Sequence, residues 1–318
     1  MGKVYLTVDL GGTRIRAARC TSDGTIEART EQFTQADDGP EVVVERIAQS
    51  LREVWPAQGQ ADMISIGAPG PINPFTGIVH VAPNLPGFVE MPLRDRIHEL
   101  FHVPVVVGND ANLAGLAEWR FGSGRGHNDL IFLTISTGIG GGVISGGHLL
   151  LGSKGLAGEL GHVSVDESGE VCQCGNIGCI ESIASGTGLV RQLRQRLQNG
   201  EASQALELAG GDLDALNVEI MEQAAKAGDA IVRQIFQRSF RALGLSIVSL
   251  LHVFNPSLVV IGGGVSNLGD ALFEPARATV RQHAMNKRFL CPIVRAELKG
   301  DVGLLGALAL ALDSPPQR

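Results

Sequence analysis

The sequence predicts an α/β protein, and three observations carry that prediction. Short β-branched runs at residues 4–8, 61–68, 103–107, 128–136 and 258–261 alternate with segments of helical period, such as 40–55, 92–102, 229–254 and 269–284. Several of the runs pass directly into Gly-rich turns, as tight strand-to-loop reversals require. The balance of 44% hydrophobic and 19% charged residues over 318 positions is enough for a substantial core in two domains of ordinary size.

Residues 4–8 end in Asp9-Leu10-Gly11-Gly12-Thr13, and 14–19 and 25–33 read as the next two strands. An Asp at a strand end before Gly-Gly-Thr is either an ordinary hairpin or one whose turn offers N–H groups and a hydroxyl to an anion. Residues 40–55 form an amphipathic helix with Pro40 at its start. The strand at 61–68 runs into Pro69-Gly70-Pro71, which cannot continue it. Residues 80–88, HVAPNLPGF, form a proline-broken loop of a kind that often serves sites. A short helix at 92–102 and a buried strand at 103–107 follow. Then Gly108-Asn109-Asp110-Ala111-Asn112 opens the periodic run LAGLAEWRF. Asn or Asp here signals a helix N-cap, or places a carboxylate where ligands approach open α/β sheets.

The layout at Asp9 recurs as a strand at 128–136, the turn at 137–142 and a strand at 143–145, so the chain holds two halves alike in element order. Residues 147–154 nearly spell a P-loop, but Ser153 and Lys154 are in the wrong order, and neither Gly-rich turn satisfies GxGxxG. Helices are expected at 185–198, within 199–216, at 217–227 and at 229–254, the last ended by Pro256. A strand at 258–261 enters Gly262-Gly263-Gly264. A helix at 269–284, a strand at 292–296 and a closing helix at 302–312 complete the chain. The expected domains are 1–119, with the closing segment 302–318 packed back on it, and 120–301.

Residues 158–181, GELGHVSVDESGEVCQCGNIGCIE, hold Cys172, Cys174 and Cys179, with His162 ten residues before the first. Three thiols and one imidazole complete a four-coordinate zinc set with no position left for water, which is the composition of a structural site. Gly175 and Gly178 let the backbone turn tightly between the thiols. The alternatives are a disulfide or unrelated thiols on a loop, although a disulfide leaves an odd cysteine and has no use for His162. Glu159 and Glu181 bracket the set, and a metal loop would hold both in one place.

A net charge of −7 without a long basic run argues against a nucleic-acid partner. No signal peptide is expected, and no run reaches the roughly 18 apolar residues of a membrane span. Clustered cysteines without a secretory signal point to a reducing cytoplasm.

Taken together, DLGGT at 9–13, NDAN at 109–112, STGIGGG at 136–142, GELGH at 158–162, CQCGNIGC at 172–179 and IGGGV at 261–265 resemble the ROK family of sugar kinases and related repressors, especially its bacterial glucose kinases. The resemblance implies the actin-like or hexokinase-like (RNase H-like) fold: two related α/β domains with a cleft between them. It implies that Asp9, Gly11, Gly12 and Thr13 line the phosphates, with Asp9 near Mg2+. Thr137 and Gly138 would form a second phosphate turn, and Gly262, Gly263 and Gly264 would approach the nucleoside. Asn84, Asn109, Asp110, Glu159, His162 and Glu181 would hold sugar hydroxyls, with Asp110 the catalytic base. His162, Cys172, Cys174 and Cys179 would bind a structural Zn2+, one ring nitrogen of His162 on the metal and the other facing the sugar.

The activity so implied is ATP-dependent phosphorylation of a hexose 6-hydroxyl, glucose first. Kinases of N-acetylglucosamine, N-acetylmannosamine, mannose and fructose share these motifs, and polyphosphate is an alternative donor. The partners expected are hexose and ATP, with neither nucleic acid nor membrane, in a homo-oligomer, a dimer first. A repressor of this family would carry an additional N-terminal helix-turn-helix, for which a strand starting at Val4 leaves no room. A sugar-binding protein without catalysis would need neither Asp110 nor two phosphate turns.

Overall fold

Residues 5–10 are buried at every position but one, so the strand they form, β1 (Tyr5–Leu10), must be covered on both faces. In the computed structural model, which describes residues 2–314, it lies at the centre of the first sheet. The hairpin through Gly11 and Gly12 leads to β2 (Arg14–Cys20), and β3 (Ile26–Phe33) follows. Pro40 starts α1 (Pro40–Glu53), which returns the chain to β4 (Met63–Ala68). Three short strands, β5 (Ile72–Asn73), β6 (Ile78–Val81) and β7 (Val89–Met91), form a small sheet that the sequence did not announce. Two of them flank the proline-broken loop. Then come α2 (Leu93–Phe101), β8 (Val105–Asn109) and α3 (Asp110–Phe121). The first sheet has the order β3-β2-β1-β4-β8, with β2 antiparallel to β1 and to β3, β4 parallel to β1, and β8 parallel to β4.

The next strands are β9 (Leu130–Ile135), β10 (Ile139–Ser145) and β11 (His148–Leu149). The cysteine segment leads to α4 (Ile180–Ala184), then α5 (Gly186–Gln198), α6 (Gln204–Leu208), α7 (Val218–Ala227) and the long α8 (Ala230–Phe254). After β12 (Leu258–Gly262), α9 (Asp270–His283) and β13 (Ile293–Arg295), the chain ends in α10 (Val302–Asp313). The part of the closing segment assigned to 315–318 lies outside the described residues. The second sheet has the order β11-β10-β9-β12-β13, with β12 parallel to both β9 and β13. Numbered within its own half, each sheet reads 3-2-1-4-5, so the α/β class and the likeness of the two halves hold.

The chain divides into two compact units, Met1–Asn128 with Gly142–Gly158 and Ala296–Arg318, and Asp129–Gly141 with Glu159–Arg295. This differs from a single boundary after residue 119. Helix α3 runs on to Phe121, and the chain from Gly142 to Gly158 rejoins the first unit.

In the first unit, one face of the sheet packs Leu6, Val8, Ile15, Ile64 and Ile66 against Ile47 and Leu51 of α1 and Ile97 of α2. The other face packs Tyr5, Ala18, Met63 and Val106 against Ala117 of α3 and Leu304, Leu308 and Ala311 of α10. In the second unit α8 lies so close to α9 that a Cβ on Gly244 would stand 2.6 Å from Thr279 Cβ and 2.8 Å from the Ala276 carbonyl oxygen.

The glycines at 140–142, read from sequence as part of a turn, lie within β10. A Cβ on Gly141 would meet Leu160 at 2.7 Å and the Phe132 carbonyl oxygen at 2.8 Å, so packing requires that glycine.

Candidate active site

In the first unit the strand register collects the candidate polar groups at one end of the sheet. Asp9 pairs with Gly67, Gly67 with Gly108, and Ala68 with Asn109, all at the C-terminal ends of parallel strands, where open α/β sheets bind ligands. Asn109 is the N-cap of α3: its side-chain oxygen accepts from the Ala111 and Asn112 amides, and its Nδ2 donates to the Gly70 carbonyl. Asp110 is therefore not the cap. It is exposed in the first helical position, with Oδ1 accepting from the Ala111 amide at 2.7 Å.

The Gly-Gly-Thr hairpin is held by the Gly11 amide, which donates to the Arg14 carbonyl at 2.9 Å, and by the Thr34 hydroxyl, which donates to the Gly11 carbonyl at 2.7 Å. A Cβ on Gly12 would stand 2.8 Å from Cβ of Asn84. Gly12 thus lets the proline-broken loop close onto the turn and brings Asn84 to it. Burial pushes the Asp9 carboxyl above its ordinary value, and the Arg16 guanidinium, 3.6 Å away, opposes that rise.

In the second unit the turn at Ser136–Gly138 is fastened from two sides. The Gly186 amide donates to the Ser136 carbonyl at 2.7 Å, and the Thr187 hydroxyl to the Thr137 carbonyl at 2.8 Å, both from the start of α5. From the cysteine segment, Glu181 Oε2 accepts from the Ile139 amide at 2.8 Å. A Cβ on Gly161 would stand 2.0 Å from the Ile139 carbonyl oxygen, so the GELGH segment packs on the same residue.

Beside this turn opens a cavity of about 440 Å³. Ser136, Thr137, Thr187, Arg191, Glu219 and Gly264 are among its lining residues. Nε of Arg191 is a buried donor with no partner among the described residues. Of the three glycines at 262–264, Gly264 reaches the cavity; Gly262 is buried in β12. Gly263, at φ +82°, packs where a Cβ would stand 2.3 Å from the Ile135 carbonyl oxygen.

The four candidate metal ligands converge. A ring nitrogen of His162 and the three cysteine sulfurs all lie within 4.8 Å of one another, with 3.7 Å from His162 Nδ1 to Cys172 Sγ and 3.7 Å between the sulfurs of Cys174 and Cys179. Tetrahedral zinc with bonds of about 2.0–2.3 Å separates its ligands by about 3.4–3.8 Å, so both of these 3.7 Å separations match that ion. Gly175 at φ +89° and Gly178 at φ +70° supply the turns between the thiols. Burial and the two neighbouring thiols push Cys179 up to about 12. A divalent cation is the group that would keep such crowded thiols deprotonated. The second ring nitrogen, His162 Nε2, lies 4.0 Å from Oε2 of the exposed Glu159.

The ROK family model matches residues 5–314 of this chain. The chain belongs to the ROK family. A glucokinase of Thermotoga maritima is 38% identical over 304 residues, covering 95% of each chain. An N-acetylmannosamine kinase of Escherichia fergusonii is 35% identical over 308 residues, covering 96% of this chain and 97% of the relative. The crystal structure of a ROK family glucokinase from Streptomyces griseus with glucose and AMPPNP superposes with a TM-score of 0.81 at 34% identity, over 98% of this chain and 100% of that one. The architecture of this ROK chain is thus that of ROK glucokinases, whose two domains are actin-like.

Each unit of the ROK chain gathers its own share of the candidate residues. Asp9, Gly11, Gly12, Thr13, Asn84, Asn109 and Asp110 belong to the first, and the second carries Thr137, Gly138, Glu159, His162, Glu181, the glycines at 262–264 and the cysteines. Sequence reasoning passed over Thr187, Arg191 and Glu219. These are ordinary residue types on α5 and α7, remote in sequence from the turn at 136–138, and only the fold brings them to its cavity.

Proposed function

We propose that this ROK protein is an ATP-dependent hexose kinase that transfers the γ-phosphate of ATP to the 6-hydroxyl of glucose. The observation that supports the reading is the cavity of about 440 Å³ beside Thr137, roomy enough for a nucleotide and lined by the turn expected to meet its phosphates. The glucokinases among its relatives support the choice of sugar.

The roles follow from chemistry. Amides and hydroxyls of the turns at Gly11–Thr13 and Thr137–Gly138 meet the phosphates, which need positioning and charge stabilisation above all. Asp110, exposed at the start of α3, accepts the proton of the 6-hydroxyl as that oxygen attacks the γ-phosphorus and ADP leaves. Asn84, Asn109, Glu159, His162 and Glu181 donate and accept bonds from the other hydroxyls. Mg2+, with Asp9 nearby, supplies positive charge to the phosphates when bound. A structural Zn2+ on His162, Cys172, Cys174 and Cys179 fixes the segment that carries Glu159 and Glu181.

The N-acetylmannosamine kinase relative favours an N-acetylhexosamine as second substrate class. We place the protein in the cytoplasm as a dimer. No helix among the described residues is long and apolar enough to cross a membrane, and α8 leaves Leu245 and Val253 exposed for a partner. A panel of hexoses and N-acetylhexosamines with ATP or polyphosphate, Mg2+ and coupled detection of product tests the reading. Release of ADP with glucose is expected, and no turnover on any sugar would overturn it. Light scattering on an eluting peak tests the dimer.

A further inference from the structure

The period of a strand sends alternate side chains to opposite faces, so Tyr5, Thr7 and Asp9 of β1 share one face of the first sheet. Tyr5 and the residues beside it on that face are covered by α10. The same face therefore carries Asp9 towards the opening turn of α10. There the helix has Gly303 as its second residue. A Cβ on Gly303 would stand 2.4 Å from Cγ of Asp9 and 2.5 and 2.7 Å from its two oxygens. No side chain fits between them.

The approach is reinforced from the neighbouring strand β2. Arg16, the register partner of Asp9, places Nη1 3.6 Å from Asp9 Oδ2 and 3.4 Å from the Gly300 carbonyl oxygen, while its Nε donates to Glu31 at 2.7 Å. Arg16 thus reaches both the carboxylate and the chain that leads into α10.

We infer that Gly303 is a positioning residue for the phosphate donor: the opening turn of α10 is the seat that fixes where the Asp9 carboxylate points. This rests on the kinase reading for the role of Asp9, while the seat itself rests on packing alone. Other glycines nearby behave differently. A Cβ on Gly300 meets nothing within 4 Å, and one on Gly306 would meet the Leu113 carbonyl oxygen at 2.4 Å, away from Asp9.

The test is a melting-temperature cycle together with kinetics on the full chain. Gly303→Ala is expected to lower the melting temperature in the wild-type background. In the Asp9→Ala background the obstruction is gone, and the same change should raise the melting temperature, because alanine is the better helix former. If Gly303→Ala alone fails to fold, the double variant should still fold. Equal lowering in both backgrounds overturns the seat.

In kinetics, Gly303→Ala should reduce kcat/KM for ATP roughly 100-fold, the scale of an ångström of misplacement, with calorimetric glucose binding unchanged. Gly300→Ala should match wild type. Equal losses for ATP and glucose, or wild-type kinetics, overturn the positioning role. A wild-type chain inactive on every sugar overturns the kinase reading and with it the role of Asp9, whereas the melting cycle still decides the packing.

Discussion

The amide of Ile139 donates to Oε2 of Glu181 at 2.8 Å, and this one bond joins the candidate phosphate turn to the cysteine segment. Glu181 lies two residues beyond Cys179, and its other oxygen is 3.9 Å from Cys172 Sγ. A residue expected to hold sugar therefore also holds the backbone next to Thr137 and Gly138.

The first expected outcome concerns metal. Cys179→Ser should lose about one zinc per chain and raise the apparent constants for ATP and glucose together, because Glu181 is released from both duties. Elemental analysis beside steady-state kinetics checks this. A rise confined to glucose would break the proposed link through Ile139, and an active protein purified without zinc would remove the metal altogether.

A side chain on Gly138 would displace Glu181. A Cβ there would stand 2.5 Å from Glu181 Oε2. Gly138→Val should push Glu181 and the turn apart and raise the apparent constants for ATP and glucose together, the ATP constant about tenfold or more. An unchanged ATP constant would show that this turn is not the donor site.

Asp110 and Asn109 should separate cleanly. Asn109 caps α3, so Asn109→Ala should cost about 1 kcal/mol of stability. Asp110→Asn should melt near wild type and still bind glucose, while kcat falls roughly 10²–10⁴-fold for want of a proton acceptor. If Asp110→Asn keeps more than about a tenth of the wild-type kcat, it is not the base.

Stability should depend on Asp229 at low pH. Burial raises its pKa, but bonds from the Ser203 hydroxyl at 2.6 Å and from the Val232 and Gln204 amides at 3.0 and 2.8 Å outweigh that and hold it below 3.8. A depressed carboxylate contributes stability that is fully present above the unfolded value and is lost as pH falls through the folded one. The contribution should therefore persist at neutral pH, begin to fall below about 3.8 and vanish once pH has passed through the depressed folded value. Asp229→Ala, which strips the cap of α8 and a tie to the start of α6, should cost about 2 kcal/mol near pH 7 and much less in acid. Denaturant melts at both pH values check it.

Much of this was legible in the residues, for identifiable reasons. The hairpin at Asp9 and the strand-to-helix junction at Asp110 are punctuated by glycine and by capping side chains, which act locally. The cysteine set could be read because ligand chemistry restricts residue type. What could not be read depends on distant packing. Gly263 looks like a ligand-facing glycine, yet it answers to the backbone of Ile135. The strands β5 to β7 are two to four residues long and separated by proline-containing loops, too short for a period to register. The division of labour between Asn109 and Asp110 rests on backbone geometry that two adjacent capping residues leave open.

The placement of α10 has a consequence for how the protein is made. Leu304, Leu308 and Ala311 cover a face of the first sheet whose central strand is synthesised before any of the second unit. Until the other end of the chain emerges, Tyr5, Ala18, Met63 and Val106 have no lid, while the whole of Glu159–Arg295 has already been synthesised. The second unit can therefore mature during synthesis, and the first must wait for its last helix, with an apolar surface that chaperones can bind in the interval.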